Sequence, residues 1–185
     1  MRELSINAKP TNSKAKKVFS ILLLLSALDV AVYMLLRRFE VPKSGLVGFL
    51  AIGLISGAVL IYTKYVSPKY YYDLTEDCYG VAVLVVRQVI GKRQSTLARV
   101  SLSEIVSIKR ETPTERRAHK TPPSHRKYVY LPTMSPSLTY RLTTAGRYEK
   151  AEILIEITDE VASYLSECVR EAKEREAIRE AENEY

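Results

Sequence analysis

Cysteine and histidine are too scarce in this chain to build the sites that usually need them. The 185 residues hold two cysteines, Cys78 and Cys168, and two histidines, His119 and His125. The cysteines lie far apart with no CxxC spacing. They announce neither a zinc site nor a disulfide framework and read as small buried hydrophobes. Both histidines sit in one proline-containing stretch without cysteine or carboxylate partners at metal spacing, so neither is assigned as a ligand. Catalytic signatures are missing as well: there is no Walker loop, GxGxxG, GxSxG or HExxH, and no paired Asp/Glu cluster at a strand end. No catalytic, cofactor-binding or metal-binding residue is assigned, and a non-enzyme without a cofactor is expected.

Long hydrophobic runs, by contrast, are present. VFSILLLLSALDVAVYMLL fills 18–36 and is closed by Arg37 and Arg38, and GLVGFLAIGLISGAVLIYTKYV fills 45–66. A hydrocarbon core of about 30 Å takes about 20 helical residues, so each run is long enough to cross a bilayer. Residues 18–66 are therefore expected to form a two-helix transmembrane hairpin with RRFEVPKS as its turn. A signal peptide also begins with a basic region. The length of the first run, Asp29 within it and the lack of a small-residue cleavage site favour a retained helix. The mean hydropathy of -0.10 conceals these runs by averaging them with a highly charged remainder.

The net charge of +7 is unevenly spread. Residues 1–72 carry ten Lys or Arg against Glu3, Asp29 and Glu40, whereas 150–185 carry five against eleven acids. A nucleic-acid binder would gather its basic residues on a folded face with interleaved aromatics. Here membrane topology and anionic lipid account for the basic excess, and no nucleic-acid partner is expected. Residues 1–17 are polar, basic and without periodicity, which reads as a tail. Its Arg2, Lys9, Lys14, Lys16 and Lys17, with Lys64 and Lys69 after the second run, outnumber Arg37, Arg38 and Lys43 in the turn. The positive-inside rule then puts both termini of this multi-pass cell-membrane protein in the cytoplasm.

Asp29 falls near the middle of the first span, where an ionised carboxylate would cost several kcal/mol. It reads as a protonated or hydrogen-bonded group facing Gly53, Ser56 and Gly57, with a proton or ion relay as the alternative. Gly48, Gly53 and Gly57 allow close helix approach, which suits packing within the hairpin or self-association. Tyr62, Tyr65, Tyr70, Tyr71 and Tyr72 cluster after the second span and are expected to form an interfacial aromatic belt.

From Tyr70 the texture becomes β-type. YYYDLT (70–75), GVAVLVVRQVI (80–90), RQSTLARVSL after a Gly91-Lys92 turn, SEIVSIKRE from Ser103, KYVYLPTM (127–134), SLTYRLTTAG (137–146) and KAEILIEIT (150–158) are separated by turn signals. This spacing predicts an antiparallel sheet. Val161, Tyr164, Leu165, Cys168, Val169 and Ala172 then recur at helical spacing, with Thr158 or Asp159 as the cap. Residues 173–185 keep helix formers but lose the apolar face, and only Ala177, Ile178 and Ala181 offer a thin seam to a partner. Between strands, residues 111–127 (ETPTERRAHKTPPSHRK) read as a mobile basic loop. Lys109, Arg110, Arg116, Arg117, Lys120, Arg126 and Lys127 are its possible lipid contacts, each adding about 1 kcal/mol near anionic lipid.

The order of elements resembles that of bacterial membrane proteins in which a two-helix transmembrane hairpin precedes a pleckstrin-homology-like domain. YYYDLTEDCYGVAVLVVRQVIGKRQ is similar to that family's aromatic strand, turn and paired strands, VSLSEIVSIKRE to its short inter-strand turn, and ILIEITDEVASYLSECV to its last strand and capping helix. The resemblance implies an α+β domain over 67–172, a partly open antiparallel barrel of about six or seven strands capped by a C-terminal helix. In the wider superfamily phosphoinositide binders use a basic first loop, whereas the corresponding turn here carries Glu76 and Asp77. The expected function is non-catalytic presentation of this domain at the cytoplasmic face for interaction with a protein partner, or for self-association. Anionic-lipid sensing through the basic loop is the alternative, and proton movement involving Asp29 a further one. The hairpin would hold the domain and its loop close to the leaflet.

Overall fold

In the computed structural model, which describes residues 4–8, 13–40, 45–146 and 150–183, the chain divides into two units. One is Thr11–Pro68; the other joins Met1–Pro10 to Lys69–Tyr185.

The first unit is two helices, α1 (Ser13–Arg38) and α2 (Gly45–Ile61), the second continuing into a π-helical turn at Tyr62–Val66. Lys14–Arg38 and Gly45–Val66 have mean hydropathies of 2.3 and 2.2, and both are long and apolar enough to cross a bilayer. Their apolar side chains are largely uncovered, as Leu24 at 72% and Phe49 at 74% exposure illustrate. Water would not tolerate such a surface, whereas lipid would. The helices pack as an antiparallel pair: Tyr33 lies against Gly48, Leu22 against Gly57, and the rings of Phe19 and Tyr62 stand 5.4 Å apart. In the π turn, Ser67 N–H donates to the Tyr62 carbonyl at 2.9 Å, and Pro68, which has no N–H to continue the helix, ends it.

Among the described residues, the second unit holds eight strands and two helices. β1 (Leu4–Ala8), β2 (Lys69–Glu76), β3 (Ala82–Ile90) and β4 (Arg93–Ser101) form one antiparallel sheet in that order. β5 (Ile105–Glu111), β7 (Thr139–Ala145), β8 (Lys150–Ile155) and β6 (His125–Tyr130) form the other. A bulge between Val86 and Arg87 bends β3, and the sheets are not closed into a barrel. Their facing sides share one core: Tyr72, Leu74, Leu84 and Val86 from the first sheet meet Leu142, Ile153 and Ile155 from the second. Helix α4 (Asp159–Asn183) completes it with Ala162, Leu165, Cys168 and Val169. Thr158 Oγ1 caps α4 by accepting from Val161 N–H, while Asp159 instead accepts from the Tyr140 hydroxyl and pairs with Arg110.

Several expectations are corrected. Leu4, Ile6 and Ala8 alternate with Ser5 and Asn7 in β1, which pairs with β2, and α1 starts at Ser13, so residues 1–17 do not form one featureless tail. The second sheet is not purely antiparallel, because β6 runs parallel to β8. Tyr70 and Tyr72 are core residues of β2 and not part of an aromatic belt, because strand alternation turns both inward. Cys78 is exposed on a turn, and only Cys168 is buried. Residues 111–127 are not all loop: β5 extends to Glu111, a helix α3 occupies Pro113–Ala118, and β6 begins at His125.

Tyr72 also ties the two sheets together. Its buried hydroxyl donates to the Tyr130 carbonyl at 2.7 Å and accepts from Glu156 N–H at 3.3 Å. Burial pushes its pKa far above the ordinary tyrosine value, so the group stays a donor at all working pH. Tyr72→Phe leaves a carbonyl and an amide unpaired and is expected to cost about 1–3 kcal/mol. Tyr130→Phe removes only a 3.3 Å bond to the Leu97 carbonyl at a half-exposed position and should cost less. Thermal melts of the β signal by circular dichroism would compare them, and equal losses would contradict the inter-sheet role of Tyr72.

Candidate functional site

β5 and β6 are the two edges of the second sheet and run in the same direction, about 14 Å apart across the intervening β7 and β8. A hairpin turn cannot join them; a parallel pair needs a crossover of about a dozen residues. Residues 112–124 supply it. Thr112 starts α3 with a capping box: its hydroxyl accepts from Glu115 N–H, and the Glu115 carboxylate accepts from Thr112 N–H at 2.9 Å. Pro113 at the first helical position needs no N–H there. These bonds hold the Glu115 carboxyl below the ordinary range.

Strand register puts Lys109 and Glu111 of β5, Thr139 and Arg141 of β7, Glu152 of β8 and Lys127 and Val129 of β6 on the sheet face opposite the core. On this face a charged triad is buried: Arg141, Glu111 and Glu152 are 3%, 3% and 4% exposed. Arg141 Nε lies 2.7 Å from one Glu111 oxygen, Nη2 donates to the other at 2.8 Å, and Nη1 donates to Glu152 at 2.8 Å. The crossover is fastened to this triad. His119 Nε2 lies 3.0 Å from Glu152 Oε1, and the Thr121 hydroxyl donates to Oε2 at 2.8 Å. Burial alone would push the Glu152 carboxyl up, but the bonds from Thr121 and His119 and the charge of Arg141 outweigh it and hold it low. Glu156 is the opposite case. Burial raises it despite bonds from the Thr133 hydroxyl and N–H and the nearby charge of Arg116.

Above the triad the surface is basic. Of the seven expected lipid contacts, Lys109, Arg117, Lys120 and Lys127 are exposed, the first and last on the outer face of the sheet and the middle two on the crossover. Arg116 is half-buried beside Glu156. Arg110 is exposed but points to the other side and pairs with Asp159 at 3.5 Å, and Arg126 shares that side by register. The structure therefore gathers part of the group and separates Arg110 and Arg126 from it. Sequence reasoning missed Glu111, Arg141 and Glu152 because charged strand residues read as solvent-facing until something covers them. The TPTE sequence at 112–115, a cap, a proline and a glutamate three residues after the cap, was the available signal.

In the helical unit, Gly48 and Gly57 face α1, whereas a Cβ at Gly53 would meet nothing within 4 Å. Ser56 bonds its own helix at the Ile52 carbonyl. Asp29 keeps one buried carboxylate oxygen without a hydrogen-bond partner among the described residues. Tyr33 against Gly48 and Leu22 against Gly57 put it near the level of Ala51, not beside Gly53. A cavity of about 230 Å³ lies between α4 and the turns after β2 and β4. Arg175, Glu176, Arg179 and Glu180 line it together, so it favours no ligand of one sign.

Comparisons with protein families, with curated proteins and with solved structures each gave no significant match.

Removing Arg141 would leave two buried carboxylates facing each other without a cation. Arg141→Met should therefore cost about 3–5 kcal/mol in thermal unfolding, while Glu111→Leu/Arg141→Met/Glu152→Leu should recover much of that. A triple variant no more stable than the single one would contradict the ion-cluster account. The depressed Glu152 carboxyl contributes stability above its unfolded pKa of about 4.3, and this is lost as the pH falls through the lower folded value. Glu152→Gln should thus flatten the acid limb of the stability profile. Glu156, raised on folding, contributes with the opposite sign: the cost of its charge is absent at low pH and present once pH exceeds its folded value. Glu156→Gln should accordingly steepen that acid limb, as melts across pH 3–7 would check.

Proposed function

We propose that the chain is a non-catalytic, multi-pass protein of the cell membrane that presents its β-rich unit at the cytoplasmic face for protein interaction or assembly. One observation carries the reading. Residues 112–124 are latched across the second sheet through Glu152, so Arg117 and Lys120 project from a platform fastened to the buried Arg141 cluster. A basic surface ordered before the encounter suits an acidic macromolecular partner, since less conformational entropy is lost on docking. Two facing sheets completed by a C-terminal helix support treating the unit as pleckstrin-homology-like, and the whole layout supports the likeness to bacterial membrane proteins. Eight strands, one parallel pair and the α3 crossover are departures from that pattern.

Connectivity supports both flanks of the hairpin lying on one side. Four residues separate β1 from α1, two separate the π turn from β2, and β1 pairs with β2. Two crossings return the chain to the side it left. The excess of basic residues on the outer flanks then favours the cytoplasm.

Anionic-lipid sensing is the second reading, favoured by Lys109, Arg117, Lys120 and Lys127 being exposed together. The relay reading of Asp29 has less support, because residues 18–36 and 45–61 hold no lysine or arginine to pair with it.

The test is recovery of the tagged full chain from a mild detergent extract. A stoichiometric protein partner or a self-oligomer is expected, weakened at least tenfold by Arg117→Glu/Lys120→Glu. A chain that emerges alone would overturn the reading, and charge-dependent binding to acidic vesicles in its place would move the function to lipid.

A further inference from the structure

The acidic counterpart of the basic platform is on the same chain. Helix α4 turns Ala162, Leu165, Cys168, Val169 and the half-buried Val161 and Ala172 toward the core. On its opposite side, Glu160, Glu167, Glu171, Glu174 and Ile178 recur at i, i+7, i+11, i+14 and i+18, which is one stripe of a 3.6-residue helix about 27 Å long. All five are exposed, Ile178 at 59%. Glu171 and Glu174 lie near Arg175 and Arg170, whereas Glu160 and Glu167 have no ion-pair partner among the described residues. Arg117, Lys120 and Lys127 on the platform equally have none among the described residues. The platform also bears one uncovered apolar side chain, Val129, 53% exposed on the same face as Lys127. An acidic stripe ending in an exposed isoleucine thus faces solvent on one element, and a basic surface with an exposed valine faces solvent on another.

We infer that the outer stripe of α4 docks on the basic crossover face of a second copy of this chain, giving head-to-tail assembly in the membrane plane. This rests on the interaction reading above and names its partner. The two surfaces are different patches, so the contact is heterologous: a pair of copies keeps one free stripe and one free platform, and the contact propagates until a ring closes. Exposed ion pairs are individually weak and salt-screened, so the assembly is strengthened by copies being concentrated in one membrane and loosens at high ionic strength. The helical pair contributes nothing to this specificity, and its glycines are not required.

The full chain in mild detergent, with its mass measured by light scattering at low salt and at about 1 M salt, tests the idea. Species larger than a dimer are expected at low salt and monomers at high salt. Arg117→Glu/Lys120→Glu and Glu167→Lys/Glu174→Lys should each weaken self-association at least tenfold, with unchanged β-type circular dichroism. Mixed one to one, the variants should associate again, through the intact stripe of the first on the intact platform of the second and through the reversed stripe of the second on the reversed platform of the first. Wild-type chain that stays monomeric at low salt, oligomers indifferent to both variants, or a mixture that does not pair would each overturn the inference. A monomeric chain that still captures a different stoichiometric partner through Arg117 and Lys120 would overturn it while sparing the wider interaction reading. A chain with neither self-contact nor partner would defeat both.

Discussion

The guanidinium of Arg141 lies on a strand face that would be ordinary solvent-facing sheet if nothing covered it. Covering it is tolerable only because Glu111 and Glu152 stand on either side, at 2.7 and 2.8 Å. A lone ion buried there would cost several kcal/mol even after the surroundings relaxed. The three residues come from three adjacent strands, so the pairing also ties the order β5, β7, β8 to one register. Two carboxylates against one guanidinium leave a negative charge in excess, and Glu152 turns it toward His119 and Thr121. Those two residues belong to the crossover. The imbalance inside the sheet face is therefore what holds its cover in place, and the cover is what makes the imbalance buried.

Period and length carried much of the architecture. The two apolar runs, the β-type segments and the inward stripe of α4 were all legible, because each repeats one physical requirement over many residues. What escaped depended on a partner elsewhere in the chain. Leu4, Ile6 and Ala8 alternate over only five residues, and nothing local distinguishes such a strand from a polar tail until β2 supplies its hydrogen bonds. The parallel pairing of β6 with β8 is invisible in either strand alone. The platform was half legible: its basic residues stood out by composition, and Thr112, Pro113 and Glu115 spelled a helix start, but prolines and charge made the segment look like a loop. Its buried anchor was not legible at all, since Glu152 reads as the polar half of an alternating strand.

The helical pair shows how coarse a small-residue signal is. Gly48, Gly53 and Gly57 were grouped because glycine spacing invites close packing, yet only Gly48 and Gly57 meet α1. Gly53 lies outside the seam. The same seam holds Asp29 with one oxygen unsatisfied among the described residues. Residues 18–36 and 45–61 hold no lysine or arginine to pair with it, which leaves a relay without a second charged group there.

The choice between a shaped partner and a lipid surface turns on what order is worth. Attraction of basic residues to an anionic leaflet depends on how many charges lie within a Debye length, and a mobile arm satisfies that as well as a fixed one. A capping box, a proline at the first helical position and a two-point latch onto Glu152 add nothing to such attraction. They matter where charges must meet particular counterparts at particular positions, because pre-ordered side chains lose less entropy on docking and reject mismatched partners. The stripe on α4 is ordered in the same way, by the helix that its opposite face buries in the core. Two rigid surfaces of opposite sign on one chain make a contact between copies the more economical account of why residues 112–124 are folded.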